Sequence, residues 1–537
     1  MKRILSFGCL LLISCAHAQD IPEEAIHASK NIEPDAIRSH MRFLADDILE
    51  GRKPFSKGYQ LAAKYVASQF EQMGLKPGAG DTSYFQTVQL TKVKTITEGN
   101  LSINRKNETK YLAYGKDFLL VSEPRDLDLT EKEIVFAGAA VQDASLGRQD
   151  IEKLDVNDKF VILYLSQSEE KSPLFMLKQK DSPPNRRIHK LKEDGATGVI
   201  IFLSLKDQEK LPWEMLKYYY SRMNYRMGDL DFPVFLINRQ QIDTIFDSSS
   251  HALEDYMSGK VLPHQFKFKS TIKLDIQKKP EFETRKSPNV LGYLEGSDSE
   301  LKHEYIIYTA HLDHVGIGRP IAGDSIYNGA YDNASGTAIM IEIARAYTKL
   351  ISQPKRSVLF IALTAEEMGL LGSEYYVDYP TVPLENIVAT LNTDMFLMEK
   401  PLTEIVVLGG EYSELGTLAN LACQFTSVSM VPDPAPEENL FFRSDHFNFV
   451  KKGIPSLFLV NPYYKSDTID DNTDANYRWL KTIYHTPQDN FRNDIHYDSG
   501  VTYGQINFLI GYLAAQQEER IKWNFDLDED NPLRITR

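Results

Sequence analysis

Apolar positions change their spacing twice along the chain, and each change marks a different kind of structure. Between Ile37 and Leu75 they recur at helical intervals: Ile37, Met41, Phe43, Leu44 and Ile48, then Ala62, Ala63, Tyr65, Val66, Phe70 and Met73. Gly74 and Pro77 stop the second run. From Leu101 to Ile272 short apolar blocks take over, predicting strands over 134–137, 160–163, 199–202 and 234–237, with a helical piece at 187–192. From Asn289 onward strand and helix alternate. Strands are expected over 305–308, 358–363, 388–391, 405–408 and 456–460, and helices over 337–350 and from about Met368.

This alternation predicts an α/β fold, a mixed and mostly parallel sheet flanked by helices, with a strand-rich unit inserted into it. The expected division is 1–18 as a leader, 19–118 as the first part of the main domain, 119–275 as the insert, and 276–537 as the remainder. In such sheets chemistry collects in loops beyond the carboxyl ends of the strands, so polar residues at those ends draw the closest reading.

The first residues read as a secretory signal. Lys2 and Arg3 precede an apolar stretch from Ile4 to Ile13 that is too short to span a bilayer. Two processing patterns coexist: Ala16-His17-Ala18 has the form of an ordinary cleavage site, whereas Leu12-Ile13-Ser14-Cys15 resembles a bacterial lipobox that would anchor Cys15 to lipid. Either way the chain is expected to be exported, as a periplasmic or secreted protein or an outer-membrane lipoprotein. No later segment predicts a membrane span.

Charge and cysteine usage narrow the chemistry. Lys+Arg 60 against Asp+Glu 75 gives a net charge of −15, which argues against nucleic-acid partners. Of three cysteines, Cys9 and Cys15 lie in or beside the leader, leaving Cys423 in the folded body. A disulfide framework and a multi-cysteine metal site are both excluded, so any metal must be held chiefly by His, Asp and Glu.

Five short strings carry that chemistry. His311-Leu312-Asp313-His314 follows the strand at 305–308, with His311 and Asp313 on one face of an extended backbone. Tyr331-Asp332-Asn333-Ala334-Ser335-Gly336 opens a helix, where Asp, Asn and Ser also serve as caps. Ala365-Glu366-Glu367-Met368-Gly369 ends an apolar strand with adjacent carboxylates, which repel one another unless a cation is near. Asn392-Thr393-Asp394-Met395 repeats an acid after an apolar run, and Tyr484-His485-Thr486-Pro487-Gln488-Asp489 supplies a histidine in a turn.

In this order the strings resemble the co-catalytic di-zinc aminopeptidases, the family of bacterial leucyl aminopeptidases, aminopeptidase S and glutamate carboxypeptidase II. The stretch around Gly51-Arg52 and the run to Gly74-Leu75 resemble the same enzymes' N-terminal helices. The insert is similar to a protease-associated domain at 154–159 and 193–199. The resemblance implies two zinc ions: His311 and Asp394 on one, Glu367 and His485 on the other, and Asp332 bridging them, with a cis peptide after Asp332. Asp313 is expected to orient His311, and Glu366 to act as the general base on a metal-bridging water. The implied activity is exopeptidase cleavage of N-terminal residues from peptides with a free N-terminus. Glutaminyl cyclisation, carboxypeptidase action on acidic dipeptides and a catalytically silent receptor are the alternatives on the same fold.

Tyr331 stands where many relatives carry Asp, and Phe441 and Phe442 stand where some carry a tyrosine. Asp445 and His446 resemble family positions near the substrate pocket. His314 is read as a structural neighbour of His311. The acidic loop with Asp467, Asp470, Asp471 and Asp474 is read as solvated, and Trp213, Tyr218, Tyr219, Tyr220 and Tyr225 as packing inside the insert. Side-chain preference and oligomeric state stay open.

Overall fold

The computed structural model describes residues 21–526 apart from 95–97, 123, 125–129, 144–147, 152, 166–182, 223–224, 227–230, 277–279 and 471–472. The leader, with Cys9 and Cys15, lies outside the described residues. Two helices, α1 (Pro34–Leu44) and α2 (Lys57–Gln72), occupy the first helical region. The Ser56 hydroxyl caps α2 by accepting from Tyr59 N at 3.1 Å. Gly74, at φ +80°, ends that helix. Its buried face is Tyr59, Ala62, Ala63, Val66 and Phe70, the 3–4 spacing seen in the sequence.

Seven long strands of the main sheet are numbered in chain order: β1 (Phe85–Lys94), β2 (Glu281–Leu294), β3 (Tyr305–His311), β4 (Ser357–Leu363), β5 (Ile387–Asn392), β6 (Glu404–Leu408) and β7 (Ser456–Val460). Their spatial order is β1-β2-β4-β3-β5-β7-β6, with short strands at the margins. β4, β3, β5 and β7 run parallel at the centre, while β1, β2 and β6 are antiparallel to their neighbours. The sheet is therefore mixed, and its parallel part is the centre.

Both faces of the centre are covered. Ile306, Tyr308 and Ala310 of β3 and Phe360 and Ala362 of β4 enter the largest core, with α3 (Gly336–Tyr347) and α4 (Tyr497–Gln516). The alternating residues Ile307, Leu359, Ile361 and Leu363 enter a second core with Tyr376, Phe449 and Ile454. Strands buried on two faces read as unbroken apolar runs, which is why 305–308 and 358–363 stood out.

The insert has its own sheet of eight strands among the described residues, drawn from Gly99 to Ile276. It also has its own two cores, one on Phe136, Phe160 and Phe202, the other on Val161, Leu163 and Leu191. Its start lies near Gly99 rather than at the expected 118/119 boundary. The strands Gly99–Arg105 and Glu108–Ala113 bury Leu101, Ile103 and Leu112 in the insert's core. The chain leaves the main sheet at Lys94 and returns at Glu281, which face each other in the β1–β2 ladder, and in between Tyr225–Arg226 pairs with the margin of β1 at Lys92 and Thr91. An insertion whose ends meet across one strand pair leaves the host sheet intact. Trp213 donates to Gly115 O at 3.1 Å and Tyr220 is buried in the insert; the side chains of Tyr218, Tyr219 and Tyr225 lie outside the description.

α4 rests directly on the sheet. An ideal Cβ on Gly511 would lie 2.0 Å from the Tyr308 hydroxyl, which donates to Asn507 O at 2.8 Å. Helix propensity alone favours Gly511→Ala by about 1 kcal/mol. Overpacking should reverse that sign and destabilise the protein by about 1–3 kcal/mol. Calorimetric melting checks this: a raised Tm for Gly511→Ala would contradict the packing described.

Candidate metal centre

The site forms at the carboxyl ends of the adjacent strands β4, β3 and β5. His311 is the last residue of β3, Glu366 and Glu367 follow β4, and Asp394 follows β5. Asp332 sits ahead of α3, and its peptide bond to Asn333 is cis. His485 comes from the turn after the helix Ala475–Thr482. Ala365 (φ 56°), Met395 (φ 49°) and His485 itself (φ 55°) adopt left-handed backbone, a cost on the order of 1–3 kcal/mol each. This backbone stands beside Glu366 and Asp394 and at His485 itself, where those side chains turn into the cluster.

All five expected ligands converge. His311 Nε2 lies 3.0 Å from Asp394 Oδ1 and 3.2 Å from Asp332 Oδ1. His485 Nε2 lies 3.1 Å from Asp332 Oδ2 and 3.1 Å from Glu367 Oε2. Asp332 thus turns one carboxylate oxygen to each group. Their donor atoms fall into two sets, His311 with Asp332 and Asp394, and His314 with Asp332, Glu367 and His485.

The donor set fits divalent cations. His311 Nδ1 is 3.1 Å from Asp313 O; with Nδ1–H donating there, Nε2 presents a lone pair to two carboxylates. Lone pairs facing each other at this range repel unless a proton or a metal sits between them. Donors at 2.0–2.1 Å from a tetrahedral zinc are about 3.3 Å apart, close to the separations found.

Further residues position these side chains. Asp313 does so through two different groups: its carbonyl meets His311, while its carboxylate accepts from Glu366 N (3.1 Å) and Glu367 N (3.3 Å). Ser444 donates to Asp394 Oδ2 at 2.6 Å and accepts from Asn392 Nδ2 at 2.7 Å. Asp489 accepts from Tyr331 N at 2.9 Å and Asp332 N at 3.0 Å. Ser444 and Asp489 had no assigned role in the sequence, although Asp489 closes the string from Tyr484 and Ser444 immediately precedes Asp445. Asp445 is fully buried and accepts from Ser373 Oγ at 2.6 Å, and His446 is buried beside Phe441 and Phe458. The Tyr331 hydroxyl donates to Glu399 (2.9 Å) and its ring meets Trp479 edge-on. Asp474 caps the helix before His485 and pairs with Lys400 at 2.6 Å.

Glu366, partly buried, lines the same cavity as His311, Asp332 and Asp394. The cavity measures about 780 Å³ with its open mouth, and its walls include Met395, Leu440, Phe458, Val460, Tyr463 and Tyr484. Among the described residues no helix is long and apolar enough to cross a membrane.

All five expected ligands and Glu366 fall within residues 289–509, which match the model of Peptidase family M28. This segment is similar to that family. Aminopeptidase YwaD of Bacillus subtilis (strain 168) is 31% identical over 221 residues, which is 40% of this chain and 41% of that protein. Aminopeptidase NAALADL1 of Mus musculus is 34% identical over 131 residues, 24% of this chain and 16% of its own length. The chain spans less than half the length of these curated relatives. An aminopeptidase from Aneurinibacillus sp. strain AM-1 shares the fold, with a TM-score of 0.53 at 19% identity, covering 91% of this chain and 96% of that one.

Arg52 ties residues 289–509 to the N-terminal helices. Fully buried, its guanidinium donates to the carbonyls of Leu44, Leu312, Asn328 and Gly329, clamping the loops that carry His311 and Asp332. Charged hydrogen bonds are worth about 1.5–3 kcal/mol each, so Arg52→Met should cost roughly 3 kcal/mol or more and lower bound metal. Arg52→Lys should recover little, lacking the fork. Thermal melts and metal analysis read both; a lysine variant indistinguishable from wild type would refute the clamp.

Burial pushes the Asp489 carboxyl up to about 6, Asp445 to about 7 and Asp313 to about 8. Groups raised in this way stabilise the fold fully below about pH 4 and lose that contribution as pH rises through 6–8. Burial opposes charge on His311 and His485, but Asp394 and Glu366 beside one, and Glu367 and Asp332 beside the other, outweigh it and raise both. Their contribution is likewise full below 6.5 and lost on raising the pH. Burial of Glu367 is outweighed by His485 and His314, which hold it at about 2; its contribution is lost only as pH falls from about 4.5 toward 2. The metal-free protein should therefore melt at lower temperature at pH 8 than at pH 5. Divalent ions, which favour ionised acids and neutral imidazoles, should raise Tm more at pH 8. Equal gains at both pH values would contradict this balance.

Proposed function

We propose that the protein is an exported zinc-dependent aminopeptidase that hydrolyses the N-terminal peptide bond of peptides. The observation that carries this reading is Asp332, which offers one oxygen to each of two His/acid groups beside Glu366. The likeness to an M28 segment supports it. His311, Asp332 and Asp394 would hold one zinc, and Asp332, Glu367 and His485 the other. When bound, such a pair supplies Lewis acidity, lowering the pKa of coordinated water toward about 7 and polarising the scissile carbonyl.

The remaining chemistry belongs to the chain's own side chains. Burial, with Asp394 and Glu367 adding to it against the pull of His311, raises Glu366 well above the ordinary carboxylate range. A carboxylate with raised proton affinity suits a base that takes a proton from water and returns it to the departing amine. Asp313 holds the Glu366 amide and so sets where that carboxylate stands. The cavity wall is mixed, with Met395, Leu440, Phe458 and Val460 beside Glu438, Arg443 and Lys465, so it offers both apolar surface and charge to the substrate. The insert, read as a protease-associated domain, is assigned no step in this chemistry.

Glu366→Gln should leave two zinc ions bound while lowering kcat about 10²–10⁴-fold on aminoacyl substrates. Asp332→Ala should weaken both ions together. Near-normal turnover in Glu366→Gln would remove the base. One ion per wild-type chain, together with cyclisation of N-terminal Gln peptides, would replace hydrolysis with the cyclase alternative.

A further inference from the structure

His314 was read from the sequence as a structural neighbour, yet its surroundings are those of a metal donor. The ring is fully buried. Its Nδ1 lies 2.6 Å from Glu367 Oε1 and 3.7 Å from Asp332 Oδ2, and the ring meets that of His485 edge-on at 5.5 Å. Neither ring nitrogen has a hydrogen-bond partner among the described residues, and neither has Glu367 Oε1. At 2.6 Å, Nδ1 and Oε1 are close enough to share a proton or a cation. Buried imidazoles and carboxylates without partners are rare because each loses its hydration for nothing.

The backbone holds the ring there. His314 N donates to Arg52 O at 3.3 Å. Gly329, at φ +60°, passes so close that a Cβ on it would lie 2.6 Å from the imidazole. No larger residue at 329 would let the ring keep this place.

We infer that His314 is a fourth protein donor to the ion shared by Asp332, Glu367 and His485. This rests on the two-metal reading above. It makes the two sites unequal. The His314 site is closed by two imidazoles and two carboxylates, the mark of a tightly held ion, whereas the His311 site has three protein donors and keeps a position open. The His311 ion is then the one that exchanges readily and presents its free position to water and substrate.

The test is cobalt and zinc titration of the full chain, followed by competing chelator and by visible absorption. Wild type should bind two ions of clearly different affinity. His314→Ala should keep one ion and bind the other at least about 100-fold more weakly, with loss of one set of cobalt bands. His314→Cys should restore the second ion and add a thiolate-to-cobalt charge-transfer band that wild type lacks. If His314→Ala does not fold, His314→Gln is titrated in its place, with the same expected loss. Unchanged affinities in the Ala or Gln variant, or a cobalt-loaded Cys variant without the charge-transfer band, would overturn the assignment. Fewer than two ions on wild type would instead overturn the two-metal reading, and this inference with it.

Discussion

Carboxylates crowded at the end of a buried sheet govern the architecture of this site. Asp332, Glu366, Glu367 and Asp394 stand within one cavity region, backed by Asp313, Asp445 and Asp489. Left alone, such a group cannot ionise together in a low-dielectric setting. Buried Arg52 lies among them but spends its donors on four carbonyls. The local demand for positive charge is what the two donor sets answer, and the imidazoles of His311, His314 and His485 are placed where they can share cations with the acids.

The scaffold delivers these groups through rigid elements rather than long side chains. Three neighbouring parallel strands end at one edge, so His311, the Glu366-Glu367 pair and Asp394 arrive side by side. Cross-links then tie the arriving loops together: Asp313 to the Glu366-Glu367 amides, Ser444 to Asp394, Asp489 to the Asp332 segment. Each cross-link joins elements distant in sequence, so loosening one ligand disturbs its neighbours. The insert leaves this arrangement untouched because it departs and returns across a single strand pair.

Much of this was legible in the chain. The central strands 305–308 and 358–363 are apolar throughout because both faces are covered, and their polar ends marked where ligands begin. The side chains expected from those strings, His311, Asp332, Glu367, Asp394 and His485, meet in one cluster, and Glu366 lines the cavity beside it. Other features escaped for physical reasons. α4, buried on nearly every side, lacks the polar face that makes a helix visible by its period. The strands Gly99–Arg105 and Glu108–Ala113 lie where the apolar spacing already changes at Leu101, but local spacing does not say which sheet a strand joins.

The order of residues alone therefore determined which strands end in His, Asp and Glu, since this follows from local spacing and from apolar runs, while the expected ligand set came from the resemblance of five strings to a known family. It could not decide what meets what. That the Asp313 carboxylate serves two amides, that Ser444 grips Asp394, and that His314 turns inward beside Glu367 depend on contacts across 50 residues or more. Such contacts leave no periodic trace, because only the packed sheet brings those loops to the same edge.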